Sequence, residues 1–518
     1  MASKASGPTA GGRPCVLAFD LGTGGAKVEL FDSQFRMMRK AYVPYESRYP
    51  AAGMVEQRPQ EWWDAIRRGL REILEPGPGY HIEAIGVAAM TPVLVACDGN
   101  GNALRPAMIW MDRRAHQECG VIDREIGDDL FHICGNHNDP SNFGPKAMWL
   151  QRHEPEVYSA TAVLHSAVGY LVQRMTGVAC ADVTQCGLSQ LCDTRNSRWD
   201  ERLVRGCGLD MAKLPPIVES SDVVGALSAA AANELGLPAG IPVVAGSMDN
   251  VAAGLGLGVV ESNEAYVSAG TATNLCVCSN EPVFDRAFHL YRHVRPGHFL
   301  SVAGVDSGGA GVKWLKELLG DVQYEDIDRM VASPSVTGLP VAFLPYMVGQ
   351  RAPLWNDVTR GVLMGLHPST TRADLFRALM EGNAVGVRRI LSLFQQRGFR
   401  VASARMTGGA SLSSAYTQIF ADALGMRLDV FADSDVSVRG AAVNAAVSVG
   451  LHDSFEAVAP LLVARRSVEP EPRAAGYYRD MHRLFDTAYE HLQEGFRILA
   501  TIQSRGGTGR TDTGDDGA

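Results

Sequence analysis

The sequence predicts an α/β protein of two domains, with each half opening on a strand, a glycine turn and a second strand. Three observations lead to this prediction. The chain has 518 residues, which is too long for a single hydrophobic core. Strand-like and helix-like segments alternate along it. The stretch 264–275 echoes the hairpin-like stretch 19–32, which indicates a duplicated architecture with a cleft between the halves.

Composition narrows the class of protein. Hydrophobic residues make up 46% and charged residues 20% of the chain, as in ordinary globular proteins. The net charge of −9 and the lack of a clustered basic face argue against nucleic acid or anionic membrane as a partner. No apolar run is long enough to span a bilayer. The first thirteen residues lack a secretory pattern, and the ten cysteines contain no CxxC pair; together these predict reduced thiols and a cytoplasmic protein.

The opening hairpin carries the first candidate site. Asp20 ends an apolar strand, and the turn 22–25 and Lys27 follow it. Glycines allow a sharp turn that exposes backbone N–H groups. These donors, with Thr23 and Lys27, could hold phosphate oxygens, and Asp20 could hold a metal that prefers oxygen ligands. An ordinary hairpin with a solvated lysine fits this stretch equally well, because short glycine motifs are weak evidence.

Periodicity predicts the remaining elements in chain order. Helices are predicted from Gln60 to a break at 76–79, over 145–180, from Val251 to Gly258, over 371–396, and over 475–503. Thr371 and Asp374 form a capping-box-like start for the fourth of these. The small residues after Val251 indicate a helix that packs closely on its neighbour.

The predicted domain plan has four parts. A disordered segment covers 1–13, an N-terminal domain 14–258, a C-terminal domain 259–504 and a disordered tail 505–518.

Three glycine-rich loops and two aspartates are candidates for one nucleotide site. The loops lie at 22–25, 308–311 and 408–410, and the aspartates, Asp20 and Asp249, each follow a strand. The chain has no GxxxxGK[ST] loop and no HRD or DFG set, so the common phosphate-binding frameworks are absent from the sequence.

Taken together, these motifs resemble the FGGY family of carbohydrate kinases, which have an actin/hexokinase-like ATPase fold with duplicated ribonuclease-H-like halves. The resemblance runs from about residue 15 to residue 500. Its further motifs are Val55-Glu56-Gln57, Trp110 with Asp112 and Arg114, Gly246 to Asn250, Gly270-Thr271, Gly349 to Trp355, Gly408-Gly409-Ala410 and Tyr477-Tyr478. Their order and spacing are specific, although each motif alone is weak.

The resemblance implies transfer of the γ-phosphoryl group of ATP, with Mg²⁺, to a hydroxyl of a small sugar or polyol. Asp249 matches the general base, and Asp20 matches the carboxylate that orients metal and phosphates; both are expected to hold Mg²⁺ through water. The resemblance further implies ATP or phosphate binding by Thr23, Gly24, Lys27, Gly270, Thr271, Gly308, Gly309, Gly408, Gly409 and Ser413. Closure of the two halves is expected to exclude water.

The acceptor is the least determined part of this expectation. The pattern is closest to xylulokinase-like members, which implies a ketopentose such as D-xylulose. Where those members have Gln-Met-His, this chain has Met90-Thr91-Pro92, and fewer side-chain hydrogen bonds are left to discriminate hydroxyls. The expected substrate-binding residues are Met90, Thr91, Pro92, Trp110, Asp112, Asp249 and Asn250.

Several alternatives stay open. The acceptor could be ribulose, erythritol, glycerol or gluconate. An actin-like ATPase without a small-molecule acceptor shares the fold, although the turn 246–250 places a base where a sugar hydroxyl would lie. A silent sugar sensor is a further alternative, against which intact Asp20, Lys27 and Asp249 argue. A homodimer is compatible with this family, but the sequence does not determine it.

Overall fold

The computed structural model describes residues 13–74, 80–332, 340–431 and 435–506. The chain forms two compact units. The first contains Met1–Glu264, Val277–Ser301 and Asp435–Val463; the second contains Ala265–Cys276, Val302–Ser434 and Ala464–Ala518. The predicted domains 14–258 and 259–504 stay a prediction. The predicted disordered tails lie almost wholly outside the described residues: Arg13 opens the first strand and Gly506 ends the last helix.

The strands are numbered in chain order. They are β1 Arg13–Leu21, β2 Gly25–Phe31, β3 Met37–Pro44, β4 Glu56–Gln57, β5 Tyr80–Ala89, β6 Val95–Cys97, β7 Ala107–Met108, β8 Val163–His165, β9 Ala181–Asp182, β10 Cys192–Asp193, β11 Arg198–Trp199, β12 Ile217–Val218, β13 Val223–Ala226, β14 Pro242–Val244, β15 Ser247–Met248, β16 Ala265–Ala269, β17 Thr273–Ser279, β18 His289–Arg292, β19 Phe299–Val305, β20 Ala342–Leu344, β21 Val362–Met364, β22 Ser403–Thr407, β23 Arg427–Val430 and β24 Arg466–Val468.

The α-helices are numbered in the same way. They are α1 Pro59–Leu74, α2 His116–Glu125, α3 Asp129–Cys134, α4 Phe143–His153, α5 Pro155–Ala160, α6 Ala167–Thr176, α7 Cys186–Ser189, α8 Glu201–Gly206, α9 Ala229–Leu235, α10 Asp249–Gly256, α11 Gly308–Leu318, α12 Tyr324–Ala332, α13 Arg372–Gln396, α14 Ser414–Leu424, α15 Val436–Ser448, α16 Phe455–Val458, α17 Ala475–His491 and α18 Gln493–Gly506.

The first unit is built on a mixed sheet. Its strand order is β13-β14-β5-β1-β2-β3, and β15 also pairs with β5. Strand β1 runs antiparallel to β2 and parallel to β5, while β14 and β15 are parallel to β5. The carboxyl ends of β1, β5 and β15 therefore meet at one edge of the sheet.

Helices cover this sheet. Helix α1 packs on β2 and β3 with a buried face that includes Trp62, Ile66, Leu70 and Ile73, so the helix predicted from Gln60 is confirmed. Its predicted end at 76–79 lies outside the described residues. Helix α15 packs on β1 and β5.

Glycines bring α10 and α15 into close contact. A Cβ on Gly440 would lie 1.8 Å from the carbonyl oxygen of Ala252, and a Cβ on Gly256 would lie 1.9 Å from that of Val436. Neither position admits a larger side chain without a backbone shift. The predicted close packing of the small-residue helix is confirmed.

The second unit contains a sheet in which the strands run in the order β19-β17-β16-β22-β23-β24. Strands β16, β22 and β23 are mutually parallel, and β24 is antiparallel to β23. Strands β16 and β17 flank the turn at Gly270, as predicted for the second hairpin. Helix α13 has the predicted capping box, because Thr371 and Asp374 each bond the other's backbone N–H.

Two helix predictions need correction. The stretch 145–180 is not one helical region: it contains α4, α5, the strand β8 and α6. Strand β8 pairs with β6, and such tertiary pairing overrides local preference. The helix predicted over 475–503 is divided into α17 and α18 at Leu492.

Within the described part of the chain, no helix combines the length and apolar character that crossing a membrane requires.

Candidate active site

The sheet register brings the ends of three strands together in the first unit. Leu21 of β1 and Met248 of β15 both align with Ala89 of β5, one on each side. The chain continues from β1 into Gly22, from β5 into Met90 and from β15 into Asp249. Sequence separation hides this neighbourhood, but parallel strands always align their carboxyl ends at one edge.

Asp20 lies at this edge and is almost completely buried. It is 4% exposed, and Lys27 of β2 is its register partner. The Lys27 Nζ lies 3.6 Å from Oδ2 of Asp20 and 3.3 Å from Oδ1 of Asp435. Ser437 Oγ donates a hydrogen bond of 2.5 Å to Oδ2 of Asp20. The cluster formed by Asp20 and Lys27 thus has two further members, Asp435 and Ser437.

Burial and charge act in opposite directions on this cluster. Burial raises the pKa of Asp20, and Lys27 and Ser437 oppose the shift. For Lys27, burial alone would lower the pKa, but Asp20 and Asp435 raise it above its usual value. Lys27 is therefore a cation at neutral pH, suited to binding an anionic group.

Sequence reasoning missed Asp435 and Ser437. Asp435 places a carboxylate beside Lys27 and Lys40. Ser437, in the first turn of α15, faces Asp20. The available signal was the acidic residue just before a helix of small residues.

The turn between β1 and β2 is held by polar side chains. Gly22 N donates to Gly25 O at 3.0 Å. Trp110 Nε1 donates to Thr23 Oγ1 at 2.8 Å, and Gln57 Nε2 donates to Thr23 O at 2.7 Å. Thr23 and Trp110 were predicted for different ligands, and the structure places them in direct contact.

Gly24 and its neighbour lie against a tyrosine ring. A Cβ on Gly24 would lie 3.3 Å from the hydroxyl of Tyr42, and one on Gly25 would lie 2.7 Å from the ring of the same residue. Gly24 O also accepts a hydrogen bond of 3.2 Å from Tyr45 N. The Tyr42 ring therefore lies directly beside these two glycines.

Asp249 is the first residue of α10, directly after β15. Its Oδ1 accepts a hydrogen bond of 2.8 Å from the backbone N–H of Asn250. Desolvation raises the pKa of Asp249 to about 7, and the charge of Asp20 adds to the shift. A carboxylate with a pKa near neutrality can accept the proton of an alcohol as the alcohol oxygen attacks a phosphoryl group.

The polar groups of residues 90–92 bond mainly to other parts of the protein. Met90 is 2% exposed, and its N–H donates to Leu21 O at 2.8 Å. Thr91 Oγ1 donates to Gln185 Oε1 at 2.6 Å, and Pro92 O accepts from the buried Lys146 Nζ at 3.1 Å. Substrate contact by these three residues stays a prediction.

Trp110 and Asp112 differ in exposure. Trp110 is 36% exposed, whereas Asp112 is fully buried. Both oxygens of Asp112 accept hydrogen bonds, from Val55 N at 2.7 Å and from Arg114 N at 3.1 Å, and the Arg114 guanidinium pairs with it at 2.7 Å. Asp112 therefore fastens the loop that carries Trp110, and direct substrate binding by Asp112 stays a prediction.

The second unit contains a cavity of about 820 Å³. Five of the residues predicted to bind ATP line it: Gly270, Thr271, Gly309, Gly409 and Ser413. A Cβ on Gly308 would lie 2.2 Å from Thr273 Oγ1, and a Cβ on Gly408, which has φ +94°, would lie 2.6 Å from Ala269 O. These two glycines allow close packing beside the cavity.

Two further residues that line the cavity, Asp328 and Asn383, were not predicted from the sequence. Asp328 accepts hydrogen bonds from Ser413 Oγ and from Ala415 N. Asn383 donates to Thr273 Oγ1 at 2.9 Å and to Tyr416 OH at 2.7 Å. They come from helices α12 and α13, where periodicity indicates only packing.

The whole-chain comparison defines the class of protein. A crystal structure of xylulose kinase from Rhodospirillum rubrum superposes with a TM-score of 0.86 at 26% identity, covering 93% of this chain and 100% of that one. Like its structural neighbours, this chain has the two-domain α/β fold of actin/hexokinase-like sugar kinases.

Family models identify the family. The N-terminal domain model of the FGGY family of carbohydrate kinases matches residues 15–256, and the C-terminal domain model matches residues 265–449. The chain belongs to the FGGY family of carbohydrate kinases and is a phosphotransferase with an alcohol group as acceptor. This family uses ATP as its phosphate donor.

Two curated relatives are similar over nearly their whole length. Xylulose kinase of Escherichia coli is 28% identical over 92% of this chain and 99% of the relative. Gluconokinase of Bacillus subtilis is 23% identical over 94% of this chain and 98% of the relative.

Proposed function

We propose that the protein transfers the γ-phosphoryl group of Mg-ATP to a hydroxyl of a ketopentose, D-xylulose, with Asp249 as the general base. The observation that carries this proposal is Asp249 itself, a carboxylate at the end of β15 with a pKa raised to about 7. The choice of ketopentose is supported by the full-length similarity to xylulose kinases.

The reaction is an in-line displacement. The acceptor oxygen forms a bond to the γ-phosphorus as the bond to the bridging oxygen of ADP breaks, and Asp249 accepts the hydroxyl proton. Lys27 and Thr23 neutralise and orient the phosphate oxygens. Because the transition state is loose, positioning and charge stabilisation supply most of the rate enhancement.

The cavity of the second unit is proposed as the ATP site. Gly270 and Thr271 would contact phosphates, with Gly308 and Gly309 beneath the nucleotide. Gly408, Gly409 and Ser413 would leave room for adenine and ribose. Its volume of about 820 Å³ falls in the ordinary range for small-molecule sites.

Asp20 and Asp249 are the proposed Mg²⁺ carboxylates. No described residue donates a hydrogen bond to the buried Oδ1 of Asp20, so this oxygen remains available as a hard ligand. Across the described ranges, no group of three or more His, Cys, Asp or Glu residues could enclose a metal. Mg²⁺ in kinases is commonly held by one or two carboxylates plus substrate phosphates, and it neutralises developing charge when bound.

The test is acceptor-dependent release of ADP from Mg-ATP against ketopentoses, polyols, glycerol and aldonates. We expect one ketopentose to stimulate turnover strongly. Asp249→Ala should lower that turnover by about 10³-fold, while Asp64→Ala, which removes a carboxylate paired with Arg67 on α1, should not.

Two results would contradict the proposal. Turnover that needs no acceptor and survives Asp249→Ala would favour an actin-like ATPase. Preference for glycerol or an aldonate would overturn the ketopentose assignment while keeping the kinase.

A further inference from the structure

A buried carboxylate, Asp182, lies at the centre of a hydrogen-bond network near the candidate active site. Asp182 ends β9 and is 1% exposed. Its Oδ1 accepts from Thr184 N at 3.1 Å and from the Thr184 hydroxyl, and its Oδ2 accepts from Gln185 Nε2 at 3.2 Å. Both partners lie in one turn of 3₁₀ helix, Val183–Gln185.

The first branch of the network reaches the strand before Asp249. Thr184 is fully buried, and its Oγ1 accepts a hydrogen bond of 2.9 Å from Met248 N. A hydroxyl has a single proton. Because Thr184 donates that proton to Asp182, its lone pair faces Met248, which directly precedes Asp249.

The second branch reaches residues 90–92, the segment expected to contact the acceptor. Gln185 Oε1 accepts a hydrogen bond of 2.6 Å from Thr91 Oγ1. Since the Gln185 NH₂ group donates to Asp182, the amide orientation is fixed at both ends. The same carboxylate thus holds two segments that are distant in sequence.

We propose that Asp182, Thr184 and Gln185 are positioning residues that fix Asp249 relative to Thr91. The inference rests on the proposed function, in which Asp249 accepts the proton of the acceptor hydroxyl. A base must stay within hydrogen-bond distance of that proton, and a misplacement of about 1 Å can lower the rate about 10²-fold. Strand β15 is only two residues long, and Thr184 adds a hydrogen bond to the second of them, Met248.

Thr184→Val tests the first branch. This isosteric change should lower kcat for the acceptor about 10-fold to 100-fold, with the KM for ATP unchanged. Thr184→Ser keeps the hydroxyl and should restore most of kcat. Thr194→Val is the matched control: Thr194 is also fully buried, but its hydroxyl bonds Cys134 O at 2.7 Å.

Gln185→Met tests the second branch and should have a different kinetic signature. Loss of the amide frees Thr91, so the KM for the acceptor should rise about 10-fold while kcat changes little. If both variants changed kcat and KM to the same extent, and in proportion to their loss of thermal stability, the residues would have a structural role only. That result would overturn the inference. Wild-type kcat in Thr184→Val would overturn it as well.

Amide hydrogen exchange separates this inference from the proposed function. Thr184→Val should accelerate exchange of the Met248 amide at least about 10-fold, because the N–H loses its acceptor; Thr194→Val should not. Inactivity of the wild type toward every acceptor would reject the proposed function. Unchanged exchange at Met248 in Thr184→Val would reject the positioning role whether or not the enzyme is active.

Discussion

Ser437 donates a hydrogen bond of 2.5 Å to Oδ2 of Asp20, although 417 positions separate the two residues in sequence. The bond fixes the orientation of the carboxylate. Its Oδ1 accepts no hydrogen bond from any described residue and so stays available for the proposed Mg²⁺. A hydroxyl in α15 thereby orients a carboxylate at the end of β1.

Ser437→Ala should lower kcat about 10-fold and raise the Mg²⁺ concentration for half-maximal activity, because a hydrogen bond to a charged group contributes about 1.5–3 kcal/mol. Steady-state kinetics across a Mg²⁺ titration measure both effects. Ser448→Ala removes a hydroxyl from the same helix, where it donates to Asn444 O at 2.8 Å, and serves as the control. Identical kinetics for the two variants would refute the orienting role.

The pH dependence of catalysis should report Asp249. Its pKa is raised to about 7, first by burial and then by Asp20, so half of the enzyme has a protonated base at that pH. The acceptor kcat/KM should therefore rise with pH and level off above about 7, with slope one on the acid side. A profile that stays flat from about pH 5.5 to pH 8 would contradict a general base with this pKa.

Gly309 and Gly409 make a matched pair for testing the cavity of the second unit. A Cβ on Gly309 would lie 2.3 Å from Gly270 O, whereas one on Gly409 would meet nothing within 4 Å. Gly309→Ala should cost about 1–3 kcal/mol of stability and raise the KM for ATP. Gly409→Ala should leave Tm unchanged. Thermal melting of both variants tests the contact, and equal Tm values would rule it out.

Acid stability should depend on His165, which is fully buried and bonds Gln173 through Nε2. Burial lowers the pKa of His165 from 6.5 to about 4. Between these values the unfolded state binds more protons than the folded state does. The free energy of unfolding is therefore unaffected by His165 above pH 6.5 and decreases as the pH falls toward 4. The loss by about pH 5 is roughly 2 kcal/mol.

Urea unfolding of the whole chain at neutral and mildly acid pH measures this loss. His165→Gln should flatten the dependence, and the exposed His367→Asn should not. A wild-type midpoint that does not fall with pH would contradict the assignment.

Sequence patterns correctly predicted the features that depend on residues close together in the chain. The turn between β1 and β2, the capping box at Thr371 and the buried face of α1 depend on residues within a few positions, and each is confirmed. The prediction of one helical region over 145–180 is wrong because β8 is only three residues long and forms by pairing with β6. Ser437, which bonds Asp20, and Thr184, which bonds Met248 next to Asp249, were missed for a similar reason, because each reaches its partner only through tertiary packing.

The position of α15 in the chain has a consequence for synthesis. A Cβ on Gly86 of β5 would lie 2.1 Å from Ala441 O, so the central strands of the first unit are shaped to receive this late helix. A ribosome must release residues 436–448 before that face of the sheet is covered. Until then the nascent chain exposes an apolar surface, which we expect to favour binding to chaperones. Fragments ending near residue 260 should aggregate for the same reason.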